Sequence, residues 1–220
     1  AQYVISHQDV FNNKVIEVGA MNINGSFREL ICAYKPASYL GVDIAPGPGV
    51  DELCDIGNLI NRYGKETFDM VICTEVLEHI RNWRDAVSNL KNILKPGGTF
   101  LLTTRSKGFR FHAYPFDFWR FETNDMNTVF ADLIIEVNES DPDTPGVFLK
   151  ARKPAAFTEI NLKDYKIYSI ISHKRSRDIN DIYLIIFKII LRLRQITAKI
   201  IPQKTKSMIR KLISDDEKTA

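Results

Sequence analysis

Two short segments hold most of the residues able to move a proton or bind a cation. Glu75-Val-Leu-Glu-His79 sets two carboxylates and an imidazole close together. Phe109-Arg-Phe-His-Ala-Tyr-Pro-Phe-Asp-Phe-Trp-Arg-Phe121 sets His112, Tyr114, Asp117, Trp119 and Arg120 among seven aromatic residues. Imidazole titrates nearest neutrality, so His79 and His112, with Asp117 behind them, are the groups suited to take a proton from a hydroxyl. Glu75, Glu78 and His79 can share one helical face, and with His112 they would suit Mg²⁺, Mn²⁺ or a related ion. A Glu-His pair at such a place is also a common helix-start and sheet-edge feature, and no metal is assigned. The aromatic segment reads equally as a wall facing a substrate or as a loop anchored in the core.

A second set has the spacing of a nucleoside site. Val15-Ile-Glu-Val-Gly19 is an apolar run closed by glycine, and Ala20-Met-Asn-Ile-Asn-Gly25 follows it. Asp43 closes the run Tyr39-Leu-Gly-Val-Asp43, 24 residues after Gly19. A carboxylate there can accept both hydroxyls of a ribose. A dinucleotide site wants a second glycine at position 21, so that backbone can approach a pyrophosphate, but Met21 stands there. Taken singly, Gly19 and Gly25 are ordinary turn glycines, Asp43 a cap and Asp55 an N-cap for 56–63.

The elements that must position these residues follow from periodicity. Residues 15–18, 39–43, 68–74 and 99–104 read as strands, with a third short strand ahead of Asp55. Asn24-Gly-Ser26 starts a helix with Phe27, Leu30 and Ile31 on one face. Asn82 is the expected N-cap of a helix carrying Trp83, Ala86, Val87, Leu90, Ile93 and Leu94, which Pro96-Gly-Gly98 is expected to end. Residues 133–139 and 147–153 form a hairpin through Asp141-Pro-Asp-Thr-Pro-Gly146, so the last strand runs antiparallel. Alternating strands and helices imply an α/β, doubly wound, mostly parallel sheet of seven strands, with a helical tail.

In this order and spacing, Val15–Gly19, Gly41-Val-Asp43, Phe68–His79 and Leu94-Lys-Pro-Gly-Gly98 resemble the nucleoside-binding half of class I S-adenosylmethionine-dependent methyltransferases. Asn24-Gly-Ser26 and His112-Ala-Tyr-Pro115…Trp119-Arg-Phe121 are similar to a group of small methyltransferase domains of surface-glycan and secondary-metabolite pathways. The resemblance covers about residues 10–153. It implies a Rossmann-like fold and S-adenosylmethionine as cofactor, which carries no phosphate and tolerates Met21. It assigns Gly19, Ala20, Met21 and Gly25 to the cofactor loop, Glu17 to the methionine part and Asp43 to the ribose, with Ile44 also at the cofactor. Asp55 and Ile56 fall at the adenine, and Thr74 and Glu75 lie under the sulfonium. His112, His79 and Asp117 are then the catalytic candidates. Glu75, Glu78, His79 and His112 are also similar to the metal site of small-RNA 3′-terminal 2′-O-methyltransferases and of some quinone-biosynthesis O-methyltransferases.

Composition divides the chain at about residue 154. Residues 1–149 carry 13 Lys or Arg and 20 Asp or Glu, while residues 150–220 carry 17 and 7. Domain 1–154 is therefore acidic, and extension 155–220 is basic. Within the extension, 181–201 reads as a helix ended by Pro202, with Lys188, Arg192, Gln195 and Lys199 in one stripe and Ile, Leu, Phe or Tyr nearly everywhere else. Residues 179–213 suit peripheral membrane contact or a homodimer, with nucleic acid a third partner class. No window near the start has the order of a signal peptide, and no run of about 18 uncharged apolar residues exists. Cys32, Cys54 and Cys73 show no metal spacing and fit a reduced, cytoplasmic setting. Three functions fit these readings. One is methyl transfer to a hydroxyl of a sugar or other small, lipid-linked or free, acceptor. The others are metal-assisted 2′-O-methylation of RNA and a non-catalytic interaction protein on the same fold.

Overall fold

A computed structural model describes residues 5–23, 25–112 and 116–200. In chain order the elements are α1 (His7–Val10), β1 (Lys14–Val18), α2 (Arg28–Ala33), β2 (Ser38–Asp43), β3 (Glu52–Leu53), α3 (Leu59–Tyr63), β4 (Phe68–Thr74), α4 (Trp83–Ile93), β5 (Leu94–Arg105), β6 (Trp119–Arg120), α5 (Thr123–Val129), β7 (Ile134–Ser140), β8 (Gly146–Arg152), β9 (Ile167–Ser169), β10 (Lys174–Ser176) and α6 (Asp181–Ile200). Seven strands form one sheet in the order β3-β2-β1-β4-β5-β8-β7. The first five strands are mutually parallel, and β8 runs antiparallel to both β5 and β7.

The central strands are continuous apolar runs because both faces are covered. Val15, Ile16 and Val18 of β1 and Met70, Val71, Ile72 and Cys73 of β4 are buried. Ile5, Val10, Ile31 and Leu101 complete one core cluster with Val15, Met70 and Ile72, and Phe27, Leu30, Tyr34 and Tyr39 pack on it. The chain steps from β1 outward to β2 and β3, then returns to β4 on the other side of β1. The strand order thus reverses between β1 and β4, which is where open parallel sheets place ligands.

Four expectations from sequence differ from what is found. Asn82 sits at the N-cap of α4 but its side chain does not accept from the helix; its amide donates to the Asp85 carboxylate instead. The Pro-Gly-Gly run does not stop α4, which ends at Ile93, because Leu94 is already extended and pairs with Phe68. Pro96-Gly97-Gly98 makes a break in register before Met70 pairs with Thr99. A side chain at Gly98 would stand 2.8 Å from the Asp69 carbonyl, so glycine is required there. The aromatic segment contributes β6, which pairs with β9, and β9 pairs with β10. Consequently the compact unit extends to Asp178 rather than ending at 154, and α6 belongs to a second unit.

Candidate functional site

A cavity of about 740 Å³ opens at the carboxyl ends of β1, β2 and β4. Its first wall is the turn after β1. Gly19 adopts φ +81°, and a Cβ there would stand 2.1 Å from Val76 Cγ2, so only glycine lets this turn pass the β4 end. The loop that follows is held by side chains from β2 and beyond. Asp43 accepts from the backbone N–H of Met21 at 3.2 Å and of Ala45 at 3.3 Å. Arg28 pairs with Asp51 and donates to the Gly49 carbonyl at 2.9 Å, while Asp51 accepts from Gly41 N–H at 2.7 Å. Gly41 and Gly49 are packed so closely that a Cβ on Gly41 would lie 2.4 Å from the Gly49 carbonyl oxygen.

Glu17 is the buried charge of this half, 3 % exposed inside β1. Burial pushes its carboxyl up to about 7, against the pull of the Arg28 guanidinium. Tyr39 donates its hydroxyl to Glu17.

The second wall begins at Thr74. Glu75 takes φ +58°, a left-handed conformation uncommon outside glycine. It is held there by its N–H on the Thr103 carbonyl at 2.9 Å, by Thr103 Oγ1 on its carboxylate at 2.9 Å, and by Arg105. The turn that follows, Leu77–His79, buries Glu78 completely. One Glu78 oxygen accepts from Thr104 Oγ1 at 2.7 Å, and the other, Oε1, has no hydrogen-bond partner among the described residues. Oε1 stands 3.9 Å from His79 Nε2 and 3.8 Å from His112 Nε2. Burial, with Glu75 adding to it, pushes the Glu78 carboxyl well above the usual carboxylate range. Burial also lowers the pKa of His79.

Each imidazole sets its other nitrogen against an oxygen, by a hydrogen bond in His79 and by proximity alone in His112. His79 Nδ1 meets the Phe116 carbonyl. His112 Nδ1 lies 3.0 Å from Asp117 Oδ2, which also accepts the His112 backbone N–H at 2.9 Å. Asp117 is in turn gripped by Arg120, which also donates to the carbonyls of Phe109 and Arg110. The Glu78 carbonyl accepts from Phe118 N–H at 2.8 Å, and Trp119 Nε1 donates to Ile80 at 3.0 Å. Phe118, Trp119, Arg120 and Phe121 are buried. These residues of the aromatic segment are therefore an anchor, and among its described residues His112 reaches the cavity.

Of the residues singled out from sequence, Glu17, Gly19, Ala20, Met21, Gly25, Asp43, Ile44, Ile56, Thr74, Glu75, His79 and His112 line this cavity. Asp55 does not. It is exposed and accepts from Gly57 N–H at 2.7 Å, as the cap of the turn 56–58. Asp117 is not on the wall either and lies behind His112. Asn24 and Tyr114 lie outside the described residues. Sequence reasoning passed over Val76, Ile80, Thr103, Arg105 and Phe148, which also line the cavity. Arg105 was detectable only as a cation closing a strand that faces Glu75. Glu78, His79 and His112 each offer one ligand atom within 4.8 Å of the others, a set that would hold a divalent ion.

Comparison with known proteins agrees with this geometry. The family model described as "Methyltransferase domain" matches residues 10–131. A ubiquinone biosynthesis O-methyltransferase of Idiomarina loihiensis is 26% identical over 122 residues, covering 49% of this chain and 49% of the relative. The enzyme of the same name from Parvibaculum lavamentivorans is 29% identical over 68 residues, 31% of this chain and 26% of its own length. The chain thus matches at most about half the length of these curated relatives. Among solved structures, N-methyltransferase NodS from Bradyrhizobium japonicum superimposes with a TM-score of 0.51 at 16% identity, over 70% of this chain and 92% of NodS. The CurJ carbon methyltransferase superimposes with a TM-score of 0.52 at 14% identity, over 70% and 51%. These names span oxygen, nitrogen and carbon acceptors, so the shared fold does not decide the acceptor atom.

Proposed function

Because this chain belongs to the family of methyltransferase domains, we propose that it uses S-adenosylmethionine to methylate a hydroxyl of a sugar or other small acceptor. The observation that carries this reading is a single cavity with two chemically different walls. One wall, Glu17, Gly19 and Asp43, suits a nucleoside joined to an amino acid; the other, Glu75, His79 and His112, suits a hydroxyl that must lose a proton. S-adenosylmethionine supplies a methyl carbon already activated by a sulfonium, so the chain has to bind, align and deprotonate.

Asp43 holds the ribose hydroxyls through the carboxylate lone pairs that Met21 and Ala45 leave open. Glu17 receives the α-ammonium of the methionine part. Ile44 and Ile56 cover the adenine, and Thr74 with Glu75 sits under the sulfonium. Across the cavity His112 accepts the acceptor proton at Nε2, with Asp117 behind its Nδ1. The oxygen acceptor draws support from the curated relatives, both named O-methyltransferases.

A second reading of the same wall is favoured by the orphan Oε1 of Glu78. With His79 and His112 it would hold a divalent cation, which lowers the pKa of an acceptor hydroxyl. This variant suits a vicinal diol, such as a ribose end of RNA or a catechol, that offers two oxygens.

The test is calorimetric titration with S-adenosylhomocysteine, comparing the chain with Asp43→Ala. Micromolar binding that Asp43→Ala weakens at least tenfold is the expected result. Absence of binding to the unaltered chain would overturn the enzymatic reading and favour an interaction protein built on the fold.

A further inference from the structure

We propose that α6 docks the protein on an anionic lipid surface. The helix spans Asp181–Ile200, and its exposed side chains are unusually apolar. Ile182, Ile185, Ile186, Ile189, Ile190 and Leu193 are each between 42 % and 65 % exposed. At 100° per residue these positions span an arc of roughly 140°, more than a third of the helix circumference. Lys188 and Arg192, both exposed, lie side by side along one edge of that arc. Their long aliphatic stems allow the charges to reach a headgroup layer while the isoleucines enter the acyl boundary.

Charge complementarity chooses the partner. Residues 179–213 contain eight Lys or Arg and one Asp. A second copy of this helix would bring like charges together along the edge of the buried face. It would also cover the narrower stripe that a helix pair uses, leaving part of the arc in water. Nucleic acid would satisfy the cations but not the isoleucines, and no aromatic residue is interleaved with the basic residues of 188–213. An anionic bilayer surface satisfies both features at once. A peripheral mode follows from the hydropathy, since no described helix is long and apolar enough to cross a membrane.

The experiment is vesicle flotation of the full chain, with vesicles of phosphatidylcholine alone or with about one third phosphatidylserine, at near-physiological salt. Three chains are compared: unaltered, Lys188→Glu/Arg192→Glu, and Ile186→Ser/Ile189→Ser. Thermal unfolding of the 1–178 unit controls for folding. The expected result is at least tenfold tighter binding to the anionic vesicles, loss of that preference in the charge variant, and loss of binding in the isoleucine variant with unfolding unchanged. Equal binding to both vesicles, or binding to neither, overturns the proposal. So does a dimer, measured by light scattering, that the isoleucine variant dissolves in a chain that ignores vesicles. RNA binding without vesicle binding overturns it as well.

Discussion

Glu78 Oε1 and His112 Nε2 face each other at 3.8 Å, although 34 residues separate them in the chain. The oxygen is fully buried and has no hydrogen-bond partner among the described residues, and the imidazole has its other nitrogen 3.0 Å from Asp117. Burying an unpaired carboxylate is costly, so such a group is neutral or holds a cation. His79 Nε2 supplies the third corner at 3.9 Å from the same oxygen.

The metal-assisted reading therefore makes a binding prediction independent of turnover. Titration of the chain with Mn²⁺, followed by the loss of the free-ion electron paramagnetic resonance signal, should show one site. Glu78→Gln should weaken it at least tenfold. An unaltered chain that leaves the Mn²⁺ signal untouched removes the metal and leaves His112 as the base.

Glu17 gives a pH signature. Burial pushes its carboxyl up to about 7, against the pull of the Arg28 guanidinium. An α-ammonium placed beside it favours the ionised form and lowers that pKa, so binding releases a proton. Affinity for S-adenosylhomocysteine should then rise with pH up to about 7, by at most tenfold per unit, and level off above it. Glu17→Gln should bind more weakly at pH 7.5 and show a flatter profile between pH 5.5 and 7. An unchanged profile in that variant would remove Glu17 from the ammonium. His79, whose pKa is lowered by burial, titrates in both chains and so cancels in the comparison.

Much of this arrangement was legible because parallel sheets write themselves plainly. The apolar runs of β1, β2 and β4 are closed by Gly19, Asp43 and Thr74, and the fold puts those closing residues at one edge. The 141–146 link likewise announced the reversed strand β8. The short strands around the aromatic segment were not legible. β6 is two residues long, and β9 and β10 are three each, too short for a period to show. Nor does hydrophobicity say which way an aromatic side chain turns. Seven aromatics suited a wall as well as an anchor, and the decision came from Arg120 and Trp119, whose polar atoms all find backbone carbonyls or Asp117. Asp55 shows the converse ambiguity. A carboxylate two residues before a glycine caps a turn on its own, and the same residue type at the same spacing serves a ligand elsewhere.

Arg120 and Asp117 supply the last prediction. Both side chains are buried, at 1 % and 0 % exposure, and they meet through two guanidinium nitrogens. Removing one partner leaves the other charged and uncompensated, which costs about 3–5 kcal/mol and lowers Tm by on the order of 10 °C in a domain of this size. Arg120→Met should therefore destabilise strongly, and the double variant Arg120→Met/Asp117→Leu should recover much of the loss. The exposed pair Arg62–Glu52 provides a silent control. The chemistry separates positioning from stability. The recovered double variant still lacks the carboxylate behind His112, so its methyl transfer should remain depressed while S-adenosylhomocysteine binding stays near that of the unaltered chain. Thermal unfolding, calorimetry and turnover on the three chains decide the point. A double variant as active as the unaltered chain would show that Asp117 does nothing for His112 beyond holding the loop.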